Sequence, residues 1–534
     1  MAKERLYLFD TTLRDGAQTQ GVDFSVEDKI IIAKTLDKLG IDYIEGGWPG
    51  ANPGDTAFFD SKPTFKNSTF TAFGMTRRPG RSASNDSGLK AVLDAETPAV
   101  CLVGKAWDFQ VEVALGIELD ENVELISSSV EECKRLGREP MYDAEHFFDG
   151  YKANPEYALK CVKAAYDAGA RWVVLCDTNG GAMPHEVEEI VTEVVKVIPG
   201  DHVGIHTHND TENAVANTLA AIRAGARQLQ GTLNGLGERC GNANMVSLIP
   251  TLMLKEPYKS QFDIGVSEEG LKNLVHASRL LDEILNRAPN RHQAYVGASA
   301  FTHKGGLHVS AVQKDPSTYE HVDPALVGNH RVIPVSNQAG RSNVVAQFEG
   351  FGLDVDPKNP KVDRLLDEVK EREFNGYSYD SAPASFELLA RRRLGQLPKY
   401  FEVESFRVQV ERRFNAKGDL ISVSDAVVKV IVDGERLMSI AEGNGPVNAL
   451  DHALRKDLGK YSEYLHDLRL VDFKVRILSR GTEAITRVMI DSTDDSGDIW
   501  VTVGVSPNMV DAAFAALIDS INYKLMRDKA PAGA

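Results

Sequence analysis

The stretch VGIHTHND, Val203 to Asp210, opens as a short apolar run and turns polar at its C-terminal end, where two histidines stand one residue apart. Side chains i and i+2 of a strand share a face. His206 and His208 therefore point the same way, and two imidazoles on one face are spaced to hold one divalent cation. A His-x-His pair in a strand also arises as two unrelated polar contacts, so the pair by itself leaves both readings open.

Working outward, VGIHTH (203–208) is the seventh of eight short apolar runs, after LYLF (6–9), YIEGG (43–47), FTAFG (70–74), AVCLVG (99–104), MYDAE (141–145) and WVVLCD (172–177), and before QLQGT (228–232). Segments of helical period lie between them. In SVEDKIIIAKTLDKLG, Ser25 caps the start, Asp28 adds charge to the first turn and Gly40 ends the helix; NPEYALKCVKAAYDAG closes on Gly169 in the same manner. Eight strands, each followed by a helix, predict an α/β fold of the (β/α)8 TIM-barrel type. An open doubly wound sheet would carry a glycine-rich phosphate loop after its first strand, and FDTTLRDGAQ has none.

Composition narrows the function classes. The chain has 534 residues, 43% of them hydrophobic, with a formal net charge of -17. That charge argues against broad nucleic-acid binding and against anionic membranes. Five cysteines without paired spacing suit reduced thiols. The N-terminal residues enter a strand pattern directly, and no apolar stretch is long enough to span a bilayer, so a soluble, cytoplasmic protein is expected.

The barrel is expected over residues 1–280. A Gly-, Pro-, Asn- and His-rich stretch from about 290 to 345 and the helix KVDRLLDEVKERE are read as a linker or lid subdomain over residues 281–400. Residues 401–534 contain an internal echo. SDAVVKVIVDGERLMSIAEGNGPVNALDHALRKDL and AITRVMIDSTDDSGDIWVTVGVSPNMVDAAFAALIDSI each run strand, turn, strand, loop, helix, with Pro near the helix start. Two copies of one unit predict a pseudo-symmetric α+β domain with a ligand or dimer surface.

In a (β/α)8 barrel the working residues sit at the C-terminal ends of the strands. Those ends supply Arg14 and Asp15, Glu145, Asp177 and Thr178, His206 and His208, and, after the eighth strand, Glu238, Arg239 and Asn242. A carboxylate, two imidazoles and an amide converging there would form a mixed N/O site completed by water or substrate.

The motifs DTTLRDGAQ, HTHND and NGLGERCGN, in that order and spacing, resemble the acyl-CoA-condensing branch of the DRE-TIM metallolyases, which includes 2-isopropylmalate, homocitrate and citramalate synthases. YIEGGWPGANPGDTAFF and AFTHKGGLHVSAV are most similar to the citramalate-synthase members, and the C-terminal repeat resembles that branch's allosteric dimer domain. The resemblance implies a divalent metal (Mg, Mn, Co or Zn) on Asp15, His206, His208 and Asn242. It implies Arg14 on the keto oxygen, Thr178 on the keto-acid carboxylate, Glu145 and His308 as an acid-base pair, and Tyr319 as a further catalytic residue. His303 and Lys304 are read as surface or CoA-phosphate contacts. Ala17 departs from the Glu or Asn of many relatives and brings no polar group.

The implied reaction adds the acetyl-CoA methyl carbon to pyruvate and hydrolyses the thioester to (R)-citramalate, in isoleucine synthesis, in a homodimer with isoleucine as feedback ligand. Phe73, Leu102 and Tyr142 are the candidates for the small acceptor pocket. One branched carbon is worth only about 1–3 kcal/mol, so 2-isopropylmalate synthesis from 2-oxoisovalerate stays open, as does a metal-dependent sensor with an inactive barrel.

Overall fold

The computed structural model describes residues 3–336, 338–414, 416–478 and 484–533. The chain forms two compact units, Met1–Phe301 with Val322–His330, and Thr302–His321 with Arg331–Ala534. In the first, every expected run becomes a strand of one closed parallel barrel: β1 (Tyr7–Asp10), β2 (Tyr43–Glu45), β3 (Thr69–Met75), β4 (Ala99–Lys105), β5 (Glu139–Glu145), β6 (Trp172–Asp177), β7 (Val203–Thr207) and β8 (Gln228–Gly231). Pairing of β1 with β8, from Tyr7↔Gln228 to Asp10↔Gly231, closes the ring. β7 stops at Thr207 because His208 leaves the barrel ladder to bridge Asn242.

The helix Val26–Leu39 shows why the sequence signals worked. Ser25 Oγ accepts from the Asp28 N–H at 3.1 Å, Asp28 accepts from the Ser25 N–H at 2.9 Å, and Gly40 takes φ 96° at the far end. Both ends of the helix have their orphan groups satisfied locally.

Alternation along the strands divides the core in two. Leu8, Ile44, Leu102 and Tyr142 face outward onto the helices, whereas Phe9, Tyr43, Phe73, Cys101, Met141, Trp172 and Cys176 fill the inside. The N-terminal end of the barrel is sealed by first residues of strands. The Trp172 ring lies 3.8 Å from the Arg171 guanidinium and 5.2 Å from the Tyr7 ring, and Tyr43 donates to Glu139 at 2.7 Å. The C-terminal end stays open for chemistry.

In the second unit, the helices Arg341–Gly350, Pro360–Phe374 and Pro383–Leu394 share a core that includes Phe348, Leu365, Phe386 and Val503. KVDRLLDEVKERE is helical as expected, within Pro360–Phe374. The C-terminal echo is real, and each copy is larger than its sequence pattern suggested. β9 (Glu402–Phe414), β10 (Leu420–Val432) and β11 (Glu435–Gly443) precede the helix Pro446–Lys456. β12 (Arg469–Ile477), β13 (Thr486–Thr493) and β14 (Ile499–Ser506) precede Met509–Arg527. The first strand of each antiparallel sheet, β9 and β12, escapes the sequence pattern because it is largely exposed and charged on both faces, so its residues do not alternate. No helix among the described residues is long and apolar enough to cross a membrane.

Trp172→Ala empties the sealed end of the barrel and is expected to destabilise it by about 3–5 kcal/mol. Denaturant unfolding followed by circular dichroism checks this, and a midpoint unchanged from the parent would contradict the packing argument.

Candidate metal centre and active site

Beyond β1 the chain turns sharply, and the turn delivers Arg14 and Asp15 to the barrel mouth. Asp10 accepts from the Thr12 N–H at 2.8 Å, the Thr12 hydroxyl accepts from the Leu233 N–H at 2.8 Å, and the Asp15 N–H returns to the Thr11 carbonyl at 2.9 Å. On the other side, Ala243 N–H bonds the Thr207 carbonyl at 3.0 Å and so brings Asn242 alongside His208. Gly237 (φ 157°) makes this approach possible, since a side chain there would occupy the space of the Asn242 carboxamide oxygen.

The four predicted ligands converge. Asp15 Oδ2 lies 3.1 Å from His206 Nε2 and 4.0 Å from His208 Nε2, and the two imidazole Nε2 atoms are 3.3 Å apart. The Asn242 Nδ2 is 2.9 Å from Asp15 Oδ2 and 3.1 Å from His206 Nε2. All four residues are buried. His206 Nδ1–H donates to Gln230 Oε1 at 2.8 Å, and Gln230 donates in turn to Asp143 at 3.1 Å. That chain fixes the tautomer and turns the Nε2 lone pair toward the cluster.

This donor set fits a divalent cation. Among the described residues Asn242 Oδ1 is buried without a partner, and a half-turn of the amide puts that oxygen where the nitrogen now meets Asp15 and His206. Two imidazole nitrogens in contact need a shared cation or a proton between them. Asp15, His206 and His208 all offer ligand atoms within 4.8 Å of one another. Carboxylate, imidazole and amide oxygen together suit Mg, Mn, Co or Zn.

Charged and titratable groups crowd the cluster. Arg14 is the nearest fixed positive group: its Nε donates to Glu45 at 2.7 Å, its guanidinium lies 4.0 Å from the centre of the Phe73 ring, and Asp15 is 3.8 Å away. Burial opposes its charge, but Glu45, Asp15 and Asp143 outweigh this and keep it protonated. Burial pushes the Glu45 carboxyl up to about 7 despite Arg14, and raises Asp143 despite His206 and Arg14. Asp15 feels the same burial, yet Arg14 and His206 hold it below the usual carboxylate range. Burial and the neighbouring His206 bring His208 down to about 4. Three buried carboxyl groups thus share the site with one guanidinium and with His206, whose imidazole Asp15 draws up against the opposing effect of burial.

A cavity of about 760 Å³ opens over these groups, lined by Arg14, Asp15, Phe73, Glu145, Thr178 and both histidines among others. The Thr178 hydroxyl accepts from the His146 N–H at 2.8 Å, which leaves its own O–H to donate into the cavity. Arg239 secures this wall by bonding the Thr178 carbonyl at 2.7 Å and Asp210 at 2.8 and 2.9 Å. Glu145 is ion-paired to Lys105.

Family models match three consecutive parts of the chain: HMGL-like over residues 5–269, homocitrate synthase post-HMGL domain-like over 295–375, and the LeuA allosteric (dimerisation) domain over 380–525. An (R)-citramalate synthase of Aquifex aeolicus is 51% identical, covering 98% of this chain and 99% of the relative. Another from Geobacter sulfurreducens is 51% identical over 98% of both chains, and one from a Synechocystis strain is 47% identical over 98% of this chain and 96% of its own. The chain belongs to the (R)-citramalate synthase family.

The structure corrects two of the expected pocket residues, Tyr142 and Leu102. Tyr142 does not reach the cavity: it is fully buried between barrel and helices, and its hydroxyl donates to the Gly104 carbonyl at 3.2 Å. Strand alternation turns Met141, Asp143 and Glu145 inward and Tyr142 outward, and Leu102 is outward for the same reason. Phe73 does line the cavity. In the second unit, His308 stands exposed on the helix Gly306–Lys314 with the Tyr319 ring stacked on it, centroids 4.1 Å apart. His303 is buried and bonded to Glu320 at 3.0 Å, and Lys304 is paired with Asp380 at 2.7 Å, so both are engaged internally.

Four site residues escaped the sequence reading: Glu45, Lys105, Asp143 and Gln230. The signal was present. Each sits on the inward face of a strand near its C-terminal end, Asp143 being two residues before Glu145 and Gln230 inside QLQGT. Gln230→Leu removes the acceptor that orients His206 and is expected to weaken Mn²⁺ binding by about 10–100-fold. Isothermal titration of the apo-protein measures it; parent-like affinity would show that His206 is oriented by other means.

Proposed function

We propose that this chain condenses acetyl-CoA with pyruvate and hydrolyses the resulting thioester, giving (R)-citramalate and CoA. The observation that carries the reading is the convergence of Asp15, His206, His208 and Asn242 beside the buried Arg14, at the mouth of the barrel. The family's members of matching length bear the name of that activity.

When bound, a divalent cation supplies a Lewis acid for the carboxylate and keto oxygen of the 2-oxo acid. Arg14 donates a fixed N–H to the same keto oxygen and becomes more effective as negative charge gathers there. Glu45 and the Phe73 ring hold the guanidinium in one orientation, so it does not reorganise during reaction. Thr178, its hydroxyl already accepting from the His146 N–H, donates to the substrate carboxylate. Phe73 closes the space beside Arg14 and suits an acceptor with only a methyl group. His308 and Glu145 are assigned the proton transfers: removal of the acetyl methyl proton before the C–C bond forms, and activation of water for thioester hydrolysis.

The same proposal includes a homodimer built on the C-terminal repeat and isoleucine as its feedback ligand. Exposed apolar residues along the outer strands, among them Val410, Phe414, Val475 and Ile477, support a surface that is covered in the assembly. All five cysteines are free and four are buried, which suits a reducing, cytoplasmic setting.

Thiol release from acetyl-CoA by the Mn²⁺-loaded protein, with pyruvate, 2-oxobutanoate, 2-oxoisovalerate and 2-oxoglutarate in parallel, tests the reaction. Pyruvate is expected to give the highest kcat/KM, and preference for 2-oxoisovalerate would overturn the acceptor assignment. Arg14→Lys keeps the charge but loses the fork and the stacking, so kcat is expected to fall by about 10²–10³-fold. Isoleucine is expected to lower the rate and raise the melting temperature; an effect on neither would remove it as the effector.

A further inference from the structure

His308 lies exposed in the first turn of the helix Gly306–Lys314, after Gly305, Gly306 and the equally exposed Leu307. An exposed histidine in a first helical turn that opens on two glycines gets little from its own element to hold one rotamer. The described structure supplies the constraint from elsewhere: the Tyr319 ring lies over the imidazole, centroids 4.1 Å apart and planes 23° from parallel. Tyr319 is itself half exposed, so its placement depends on its backbone.

That backbone is fixed at both ends. After the helix, Asp315 accepts from the Ser317 N–H at 2.9 Å and starts a single 3-10 turn, Pro316–Thr318. The N–H groups of Tyr319 and Glu320 then both return to the Pro316 carbonyl, at 3.2 and 2.9 Å. The next side chain, Glu320, turns inward and is buried. Arg331 grips it with a fork, Nε to Oε1 and Nη2 to Oε2, each 2.6 Å, and His303 Nε2 adds a contact to Oε1 at 3.0 Å. His303 N–H bonds the Val332 carbonyl at 3.0 Å, alongside a bridge between Thr302 and Val332. One carboxylate therefore joins the segment before the His308 helix, the residue after Tyr319, and the strand-like segment at 331–332.

We infer that Glu320 is a positioning residue for His308: through Arg331 and His303 it sets the Tyr319 ring that holds the His308 imidazole in one orientation. A buried ion cluster is a poor way to gain stability, because desolvation offsets most of the attraction. It is a good way to fix geometry, since the fork of Arg331 and the ring nitrogen of His303 accept a carboxylate in one arrangement only. The inference rests on the assignment of His308 to proton transfer.

A double-mutant cycle on the Mn²⁺-loaded full chain separates the two. Glu320→Gln keeps the shape and loses the charge. It is expected to lower kcat by about 10–100-fold while the KM for pyruvate stays within about twofold, because pyruvate is held by the barrel unit. In a His308→Gln background the same change should lower kcat no further, since Glu320 acts only through His308. Arg331→Lys, which keeps the charge but not the fork, should show a smaller loss with the same non-additivity, and it stands in if Glu320→Gln melts well below the parent. Independent losses that multiply, or an unchanged kcat in either variant, would overturn the inference. A His308→Gln protein with the parent's kcat would instead remove the catalytic assignment of His308, and the inference with it.

Discussion

Everything at the centre depends on closing the barrel. Asp15 and Asn242 are 227 residues apart in the chain and meet because β1 and β8 pair in a register that leaves both strand ends at one mouth. A slip of one residue in β1 or β7 would turn inward-facing side chains outward and separate the cluster. The sealed N-terminal end, with Trp172 between Arg171 and Tyr7, stabilises the same closed ring from below. Stability and chemistry are thus divided between the two ends of one set of strands.

The electrostatics follow from that geometry. Burying Asp15, Glu45 and Asp143 around one guanidinium is costly in the protein alone, and the shifted carboxyls of Glu45 and Asp143 record the strain. A divalent cation held by Asp15, the histidines and Asn242 would favour the ionised form of these buried carboxyls. Outside the ligands, Gln230 sets the His206 tautomer, and Glu45 with Phe73 sets the direction of Arg14. Residues behind the cluster therefore set how the candidate ligands and Arg14 are aimed.

The second unit repeats the theme on a smaller scale. Two copies of a three-stranded sheet with a helix build its C-terminal part, and Ser385, on the helix Pro383–Leu394, ties that part to the preceding helices through Asp519 at 2.9 Å and the Val503 N–H at 3.0 Å. Near its start, the buried Glu320 gathers three chain segments around the exposed pair His308 and Tyr319. In both units a satisfied polar group lies behind the candidate functional side chains.

Local information in the sequence carried the barrel strands, the caps and the candidate ligand residues. Period-2 and period-3.6 patterns, Ser25 with Asp28, and the motifs holding Asp15, His206, His208 and Asn242 are properties of neighbouring residues, and they were legible without a fold. β9 and β12 were not, because exposed edge strands bury too little to impose alternation on their residues. Tyr142 was misread because its neighbourhood on a strand end says nothing about which face is inward; only the closed ring turned it onto the helices and put Asp143 into the cavity. Glu45, Lys105 and Gln230 acquired their roles in the same way, through partners 31, 40 and 24 residues away. A side chain's type is written locally, whereas its partner is chosen by packing, and the site is made of partners.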